Sequence, residues 1–267
     1  MEFGGIDGNR YNSTAFYASK ANYYTSSLCR RLVSVIYIFD LDDTLYDERQ
    51  YVESGFRAVA AYAAKQWGLD ATSCYEQLVR LLDTQGRGRI FDDFLAGHSL
   101  SSKSNIQACV RTYHLHKPKL SLPAEHLQLL QLLPKPLYLV TDGHKIVQQN
   151  KVDALGIAAL FKRVFITHRF GIKHAKPSTH CFELIKKAEK CDWQDMVYIG
   201  DNPAKDFVNL NKLGMNTIRV LTGVHRQVIA QKGFDALRTI RTLIELGSSE
   251  KMPANFADVR RPKDCQN

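Results

Sequence analysis

Asp40 and Asp42 stand two positions apart, directly after the apolar run Val35-Ile36-Tyr37-Ile38-Phe39. A short run of β-branched and aromatic residues reads as a buried parallel strand. In open α/β sheets, ligands bind in the crevice beyond the strand ends. Extended backbone sends residues two apart to the same side, so this spacing predicts both carboxylates facing one site. Such a pair repels itself. A fold keeps it where a metal ion sits between the two, or where one is a nucleophile and the other carries a proton. The plain alternative is a polar turn after a core strand.

Three further apolar runs end in polar groups. Leu137-Tyr138-Leu139-Val140 leads into Thr141-Asp142-Gly143. The Thr141 hydroxyl, and the backbone N–H groups from Asp142 onward at a helix start, suit an anion such as phosphate. Capping of that helix by Thr141 or Asp142 is the competing reading. Beyond Val164-Phe165-Ile166-Thr167 lies Lys176, next to Pro177 at an expected helix start. A lysine there can neutralise a nucleophilic carboxylate and hold a phosphate oxygen. Lys173 competes for the role, and Pro177 favours Lys176. Met196-Val197-Tyr198-Ile199-Gly200 runs into Asp201 and, five residues on, Asp206. Oxygen-only ligation by a few carboxylates suits Mg²⁺. For Asp206 alone, the alternative is an acid answering a helix dipole.

These groups need a sheet to bring them together. Strands expected near 32–40, 137–140, 164–167, 196–199 and 216–220 alternate with helices near 145–155, 178–190, 204–213 and 236–246. That alternation predicts an α/β, Rossmann-like three-layer core with a central parallel sheet and right-handed crossovers. The first two strands are too far apart for one crossover of ~30 residues. The surplus, 48–121, is helical, with stretches near 48–67, 73–82, 91–96 and 106–116, and reads as an inserted all-helical cap that starts beside Asp40. The core is then 33–47 and 122–247. Residues 1–32 form an extension whose Tyr11, Tyr17, Tyr23 and Tyr24 could dock on the core, and 248–267 a polar tail. Within the cap, Gly86-Arg87-Gly88-Arg89 breaks the helical pattern. Glycine permits a sharp turn, and the plain reading is a solvated basic turn; the sharper one is that Arg87 or Arg89 reaches the part of a substrate beyond its phosphate.

The chain has 267 residues, 45% hydrophobic and 24% charged, which permits a real core without staples. The net charge of +9 comes from scattered Lys and Arg, with no like-charged block. It favours an anionic metabolite over nucleic acid. Cysteines at 29, 74, 109, 181, 191 and 265 include no Cys-x-x-Cys pair, so they read as free thiols in a reducing compartment. No run reaches the roughly 18 apolar residues of a membrane span, and no signal peptide is evident. The expected location is the cytoplasm, and the Asn12-Ser13-Thr14 triplet carries no weight as a glycosylation site.

Asp40-Leu41-Asp42-Asp43-Thr44, then Thr141, then Lys176-Pro177, then Gly200-Asp201 through Asp206 resemble the four signature motifs of the haloacid dehalogenase superfamily, in order. The resemblance covers about residues 33 to 225. The insertion resembles the cap of the subgroup that includes phosphoglycolate phosphatase, N-acylneuraminate-9-phosphatase and β-phosphoglucomutase. The resemblance implies Asp40 as the nucleophile forming an aspartyl-phosphate and Asp42 as acid and then base. It implies Thr141 and Lys176 on the phosphoryl group. Mg²⁺ would be held by Asp40, the Asp42 carbonyl and Asp201, with Asp206 supporting the metal or Lys176. In the true dehalogenases the Asp42 position is not Asp, so phosphate ester hydrolysis is the expected reaction. Asp43 matches a variable position and has no assigned role. A phosphomutase of the same fold would use the same residues. A non-catalytic binding protein would be marked by loss of an Asp or the Lys, and none is lost. The expected partner is a small phosphorylated metabolite, with neither nucleic acid nor membrane.

Overall fold

In the computed structural model, which describes residues 35–248, β1 (Ile36–Phe39) lies between β2 (Leu137–Thr141) and β4 (Met196–Gly200). The N-terminal extension, Cys29, Cys265 and most of the polar tail lie outside the described residues. β3 (Arg163–Ile166) flanks β2, and β5 (Asn216–Val220) flanks β4. β6 (Arg238–Ile240) closes the edge, giving the order β3-β2-β1-β4-β5-β6 with every pairing parallel. The strand order reverses at β1. The crevice beyond β1 and β4 is therefore the topological switch point, where α/β sheets bind ligands.

Alternation along the strands divides the core into two layers. Tyr37, Phe39, Leu137, Leu139, Val197 and Ile199 pack with Leu129 and Leu130 of α5 (Ala124–Leu132) and Val152 of α6 (Lys145–Leu155). Ile36, Ile38, Tyr138, Val140, Met196 and Tyr198 pack against Phe182 and Ile185 of α7 (His180–Glu189) and Leu210 of α8 (Val208–Lys212). With both faces covered, β1 is buried throughout, which explains its unbroken apolar sequence.

Between β1 and β2 the chain forms α1 (Arg49–Trp67), α2 (Ala71–Gln85), α3 (Ile90–Ala96) and α4 (Lys103–Leu115). Val52, Phe56, Val59 and Ala63 recur at helical spacing on α1 and bury against Leu78, Phe94 and Cys109, a core separate from the sheet's. α1 stops at Gly68, whose φ of 68° is left-handed. Asp70 caps α2 by accepting the Ser73 N–H at 2.8 Å. Cys74, Cys109, Cys181 and Cys191 are buried free thiols. Among the described residues no helix is long and apolar enough to cross a membrane.

Three elements differ from expectation. The expected helix at 236–246 is instead β6 followed by α9 (Glu245–Ser248). Ile240, Leu243, Ile244 and Leu246 mimic a helical stripe, but the open edge of β5 captures 238–240, pairing Ile218 with Arg238 and Val220 with Ile240. The helix expected at 204–213 is only α8, because 201–207 turn back on themselves, with the Asp206 N–H bonding the Asn202 carbonyl. Pro177 does not start a helix: α7 begins at His180, and the His180 N–H reaches Ser178 Oγ at 3.4 Å.

Candidate active site

Asp40 continues β1 by one residue, its N–H donating to the Ile199 carbonyl at 2.8 Å. That bond fixes the residue at the C-terminal end of the sheet centre. Asp40 Oδ1 accepts a hydrogen bond from Lys176 Nζ at 2.8 Å, and the same ammonium donates to Asp206 Oδ1 at 3.0 Å and to the Tyr198 hydroxyl. Burial pushes the Asp40 carboxyl up to about 6, even though Lys176 pulls it down. For Lys176 burial acts downward, but Asp206 and Asp40 outweigh it and raise the ammonium above its usual value. Lys173, the competitor, is exposed.

Asp40, Asp201 and Asp206 place ligand oxygens within 4.8 Å of one another. Asp206 is held by the Asn202 N–H at 2.9 Å on Oδ2. This packing requires glycine at 200, where a Cβ would come within 2.6 Å of Asp206 Oδ2. Asp201 is buried, yet its carboxylate makes no hydrogen bond or ion pair among the described residues. Burial, with Asp40 and Asp206 nearby, pushes it up to about 9. A largely buried carboxylate at the cleft wall with no protein donor, close to two others, is the environment a hard cation satisfies. The residues therefore fit a divalent ion.

Asp42 lies outside that cluster. Its Oδ1 accepts from Lys151 Nζ at 2.8 Å and the Tyr46 hydroxyl at 2.9 Å, and its Oδ2 from Gln148 Nε2 at 2.8 Å. The two aspartates line one cleft, as their spacing predicts, but their side chains have separate partners. Thr141 ends β2, fully buried, with its hydroxyl accepting from Gln148 Nε2 at 2.8 Å. Asp142 accepts from Thr167 Oγ1 at 2.6 Å, the Lys176 N–H at 3.1 Å and Lys205 Nζ at 3.1 Å. Its side chain is thus occupied by donors and its carbonyl accepts Gln148 Nε2 at 2.8 Å, so only its main-chain N–H could meet an anion. Neither Thr141 nor Asp142 caps α6; His144 occupies that position.

The cleft encloses about 810 Å³. Asp40, Asp42, Asp201 and Lys205 line the sheet side, and Glu48, Leu82, Asp83 and Arg87 the helical insertion. Arg87 Nη1 pairs with Glu48 Oε2 at 2.8 Å. Arg89 is exposed at the N-terminus of α3 and is not among the residues lining the cleft. The variable residue Asp43 is also engaged. Its carboxylate accepts the Glu48 N–H at 2.9 Å and the Val224 N–H at 3.2 Å, and its carbonyl accepts the Thr222 hydroxyl. Its φ is 53°, and a Cβ on Gly223 would lie 2.0 Å from its Cγ.

Sequence reasoning passed over Tyr46, Gln148, Lys151, Tyr198 and Lys205. Gln148 and Lys151 had a signal, since they share one helical face with Val152 and Leu155 and so interrupt the buried stripe of α6 with polar groups. Lys205 lies within the fourth motif, directly before Asp206. Tyr46 and Tyr198 read as ordinary core aromatics.

Against known proteins, residues 36–214 match the family model described as haloacid dehalogenase-like hydrolase. The chain is 31% identical over 217 residues to a glyceraldehyde 3-phosphate phosphatase of Methanocaldococcus jannaschii, covering 78% of this chain and 93% of that one. A Pyrococcus abyssi protein of the same name is 29% identical over 195 residues, covering 70% and 81%. Among solved structures, the putative HAD-hydrolase YfnB of Bacillus subtilis superposes with a TM-score of 0.59 at 18% identity, over 80% of this chain and 96% of that one. A HAD phosphatase from Thermococcus onnurineus gives 0.50 at 20% identity, over 80% and 95%. With its four motifs gathered at the C-terminal ends of the sheet's strands and its relatives spanning most of its length, the chain belongs to the haloacid dehalogenase-like hydrolase family.

Proposed function

We propose that this chain is a Mg²⁺-dependent phosphatase that hydrolyses the phosphate monoester of a small metabolite, with a triose phosphate as the first substrate to test. The observation that carries the reading is the contact between Asp40 and Lys176 inside a group of three carboxylates, with Asp42 held separately in the same cleft. Asp40 attacks phosphorus and the ester P–O bond breaks while Asp42 gives its proton to the leaving oxygen. Water then loses a proton to Asp42 and displaces Asp40 from phosphorus. Lys176 offsets the charge of the anionic nucleophile and the phosphate it meets. Asp40, Asp201, Asp206 and the Asp42 carbonyl would hold Mg²⁺, which would supply positive charge to offset that of the phosphate. Thr141 and the Asp142 main chain complete the phosphate cradle.

The helical segment 48–121 serves as the cap, and Arg87 recognises the part of the substrate beyond the phosphate. The substrate class rests on the relatives named as glyceraldehyde 3-phosphate phosphatases. Buried free cysteines among the described residues favour a reducing compartment such as the cytoplasm. The test is phosphate release from a panel of triose, sugar and glycolate phosphates, with and without Mg²⁺, by the wild type and Asp40→Asn. Mg²⁺-dependent release that Asp40→Asn abolishes supports the reading. Interconversion of β-glucose 1-phosphate without phosphate release identifies a mutase instead.

A further inference from the structure

Lys151 is a buried cation that the chemistry above leaves without a task. Its ammonium lies 4.4 Å from the centre of the Tyr51 ring and 2.8 Å from both Asp42 Oδ1 and Glu48 Oε1. Burying an ammonium is costly unless it is paired and hydrogen-bonded. Here two carboxylates and an aromatic face hold it. The Lys151 side chain is 3% exposed, whereas that of Asp42 is 20% exposed. The carboxylate therefore reaches the cleft and the lysine does not.

We propose that Lys151 is a positioning residue for the proton-transfer step: it fixes the Asp42 carboxylate in the cleft, with Glu48 as its counter-charge. The role rests on the phosphatase reading. An aspartate at a cleft wall has several staggered side-chain states open to it. Tyr46, Gln148 and Lys151 together select one, and Lys151 contributes the charge-assisted bond, the strongest kind. Glu48 balances the lysine from the other side and is itself paired with Arg87. Misplacing a reacting group by about 1 Å can cost ~10²-fold in rate.

Asp42 acts twice. In the first half-reaction Asp40 bonds to phosphorus, the ester P–O bond breaks, and the leaving oxygen takes the Asp42 proton. In the second, water gives a proton to Asp42, its oxygen bonds to phosphorus, and the bond to Asp40 breaks. A nitrophenolate leaves without a proton, so an aryl ester needs Asp42 only in the second half. An alkyl ester needs it in both.

The test compares an alkyl phosphate, glyceraldehyde 3-phosphate, with p-nitrophenyl phosphate in Lys151→Met, Lys151→Arg and Glu48→Gln, with circular dichroism to establish folding. For Lys151→Met, alkyl ester turnover should fall by roughly tenfold or more, toward the ~10²-fold lower bound for a proton-transfer group. p-Nitrophenyl phosphate should give a nitrophenolate burst larger than that of the wild type, followed by slow turnover, as the phosphorylated enzyme accumulates. Lys151→Arg, which keeps the charge, should recover part of the alkyl ester turnover. Should Lys151→Met fail to fold, Glu48→Gln should show the same signature more weakly. Equal losses on both esters with no enlarged burst in folded protein overturn the positioning role. A wild type that releases phosphate from neither ester, nor from the sugar and glycolate phosphates of the panel above, overturns the phosphatase reading and the role with it.

Discussion

Lys176 and Asp40 are 136 residues apart in sequence, yet an ammonium and a carboxylate from them meet at 2.8 Å with almost no water access. The same lysine spans to Asp206 at 3.0 Å, so one buried cation serves two buried anions. Removing one partner of such a set leaves uncompensated charge, at a cost of ~3–5 kcal/mol. Lys176→Ala should therefore lose about that much unfolding free energy in urea, together with turnover. Lys173→Ala, three residues away and exposed, should leave both near wild type. A Lys176→Ala protein as stable as the wild type would refute the account of this pair.

Asp40→Asn keeps the shape and removes the charge. Turnover should drop at least ~10³-fold, as for a member of a catalytic unit. Stability of the metal-free protein at neutral pH should not fall in the way it does for Lys176→Ala, because burial already works against the Asp40 charge. Thermal melts of the two variants side by side check this.

Metal and proton compete at one place. Folding raises Asp40 to about 6 and Asp201 to about 9, so both bind a proton more tightly folded than unfolded. Their contribution to the stability of the metal-free protein is therefore most favourable near the ordinary carboxylate range and declines as pH rises toward about 9. Mg²⁺ held by these carboxylates, as proposed, would displace those protons. The rise in Tm on adding Mg²⁺ should be larger at pH 8 than at pH 5, and Asp201→Asn should flatten the difference. A Mg²⁺ effect that is the same at both pH values would contradict it.

The two loop arginines now separate. Arg87 lines the cleft and pairs with Glu48, whereas Arg89 does not line it. Arg87→Ala should raise KM for the favoured phosphate ester by about tenfold, the scale of a charged hydrogen bond. Its effect on p-nitrophenyl phosphate should be small. Arg89→Ala should change neither constant, and steady-state kinetics on both esters distinguish the cases.

What the sequence reveals is what local pattern encodes. Apolar runs ending in Asp40, Thr141 and Asp201 are visible because a buried strand and a polar strand end differ sharply in composition. Helical spacing shows α1 for the same reason. Lys151 stands out only as a polar break, with Gln148, in the buried stripe of α6; what it meets there is not local information, because its partner Asp42 is 109 residues away. β6 is invisible to pattern because a three-residue strand has too few residues for alternation to show. Only the vacant edge of β5 determines it.

Asp43 ties the start of the helical insertion, at Glu48, and the loop after β5, at Val224, to the end of β1. It does so in a left-handed conformation that Asp tolerates better than most residues, against a glycine that has no room for a Cβ. The design consequence concerns modularity. A helical segment transplanted from a relative must be cut so that Asp43 and Gly223 travel together, although 180 residues of chain separate the two positions, as their numbering shows. A chimera that exchanges one without the other should inherit a collision or an open seam at the mouth of the cleft, however well its helices fold.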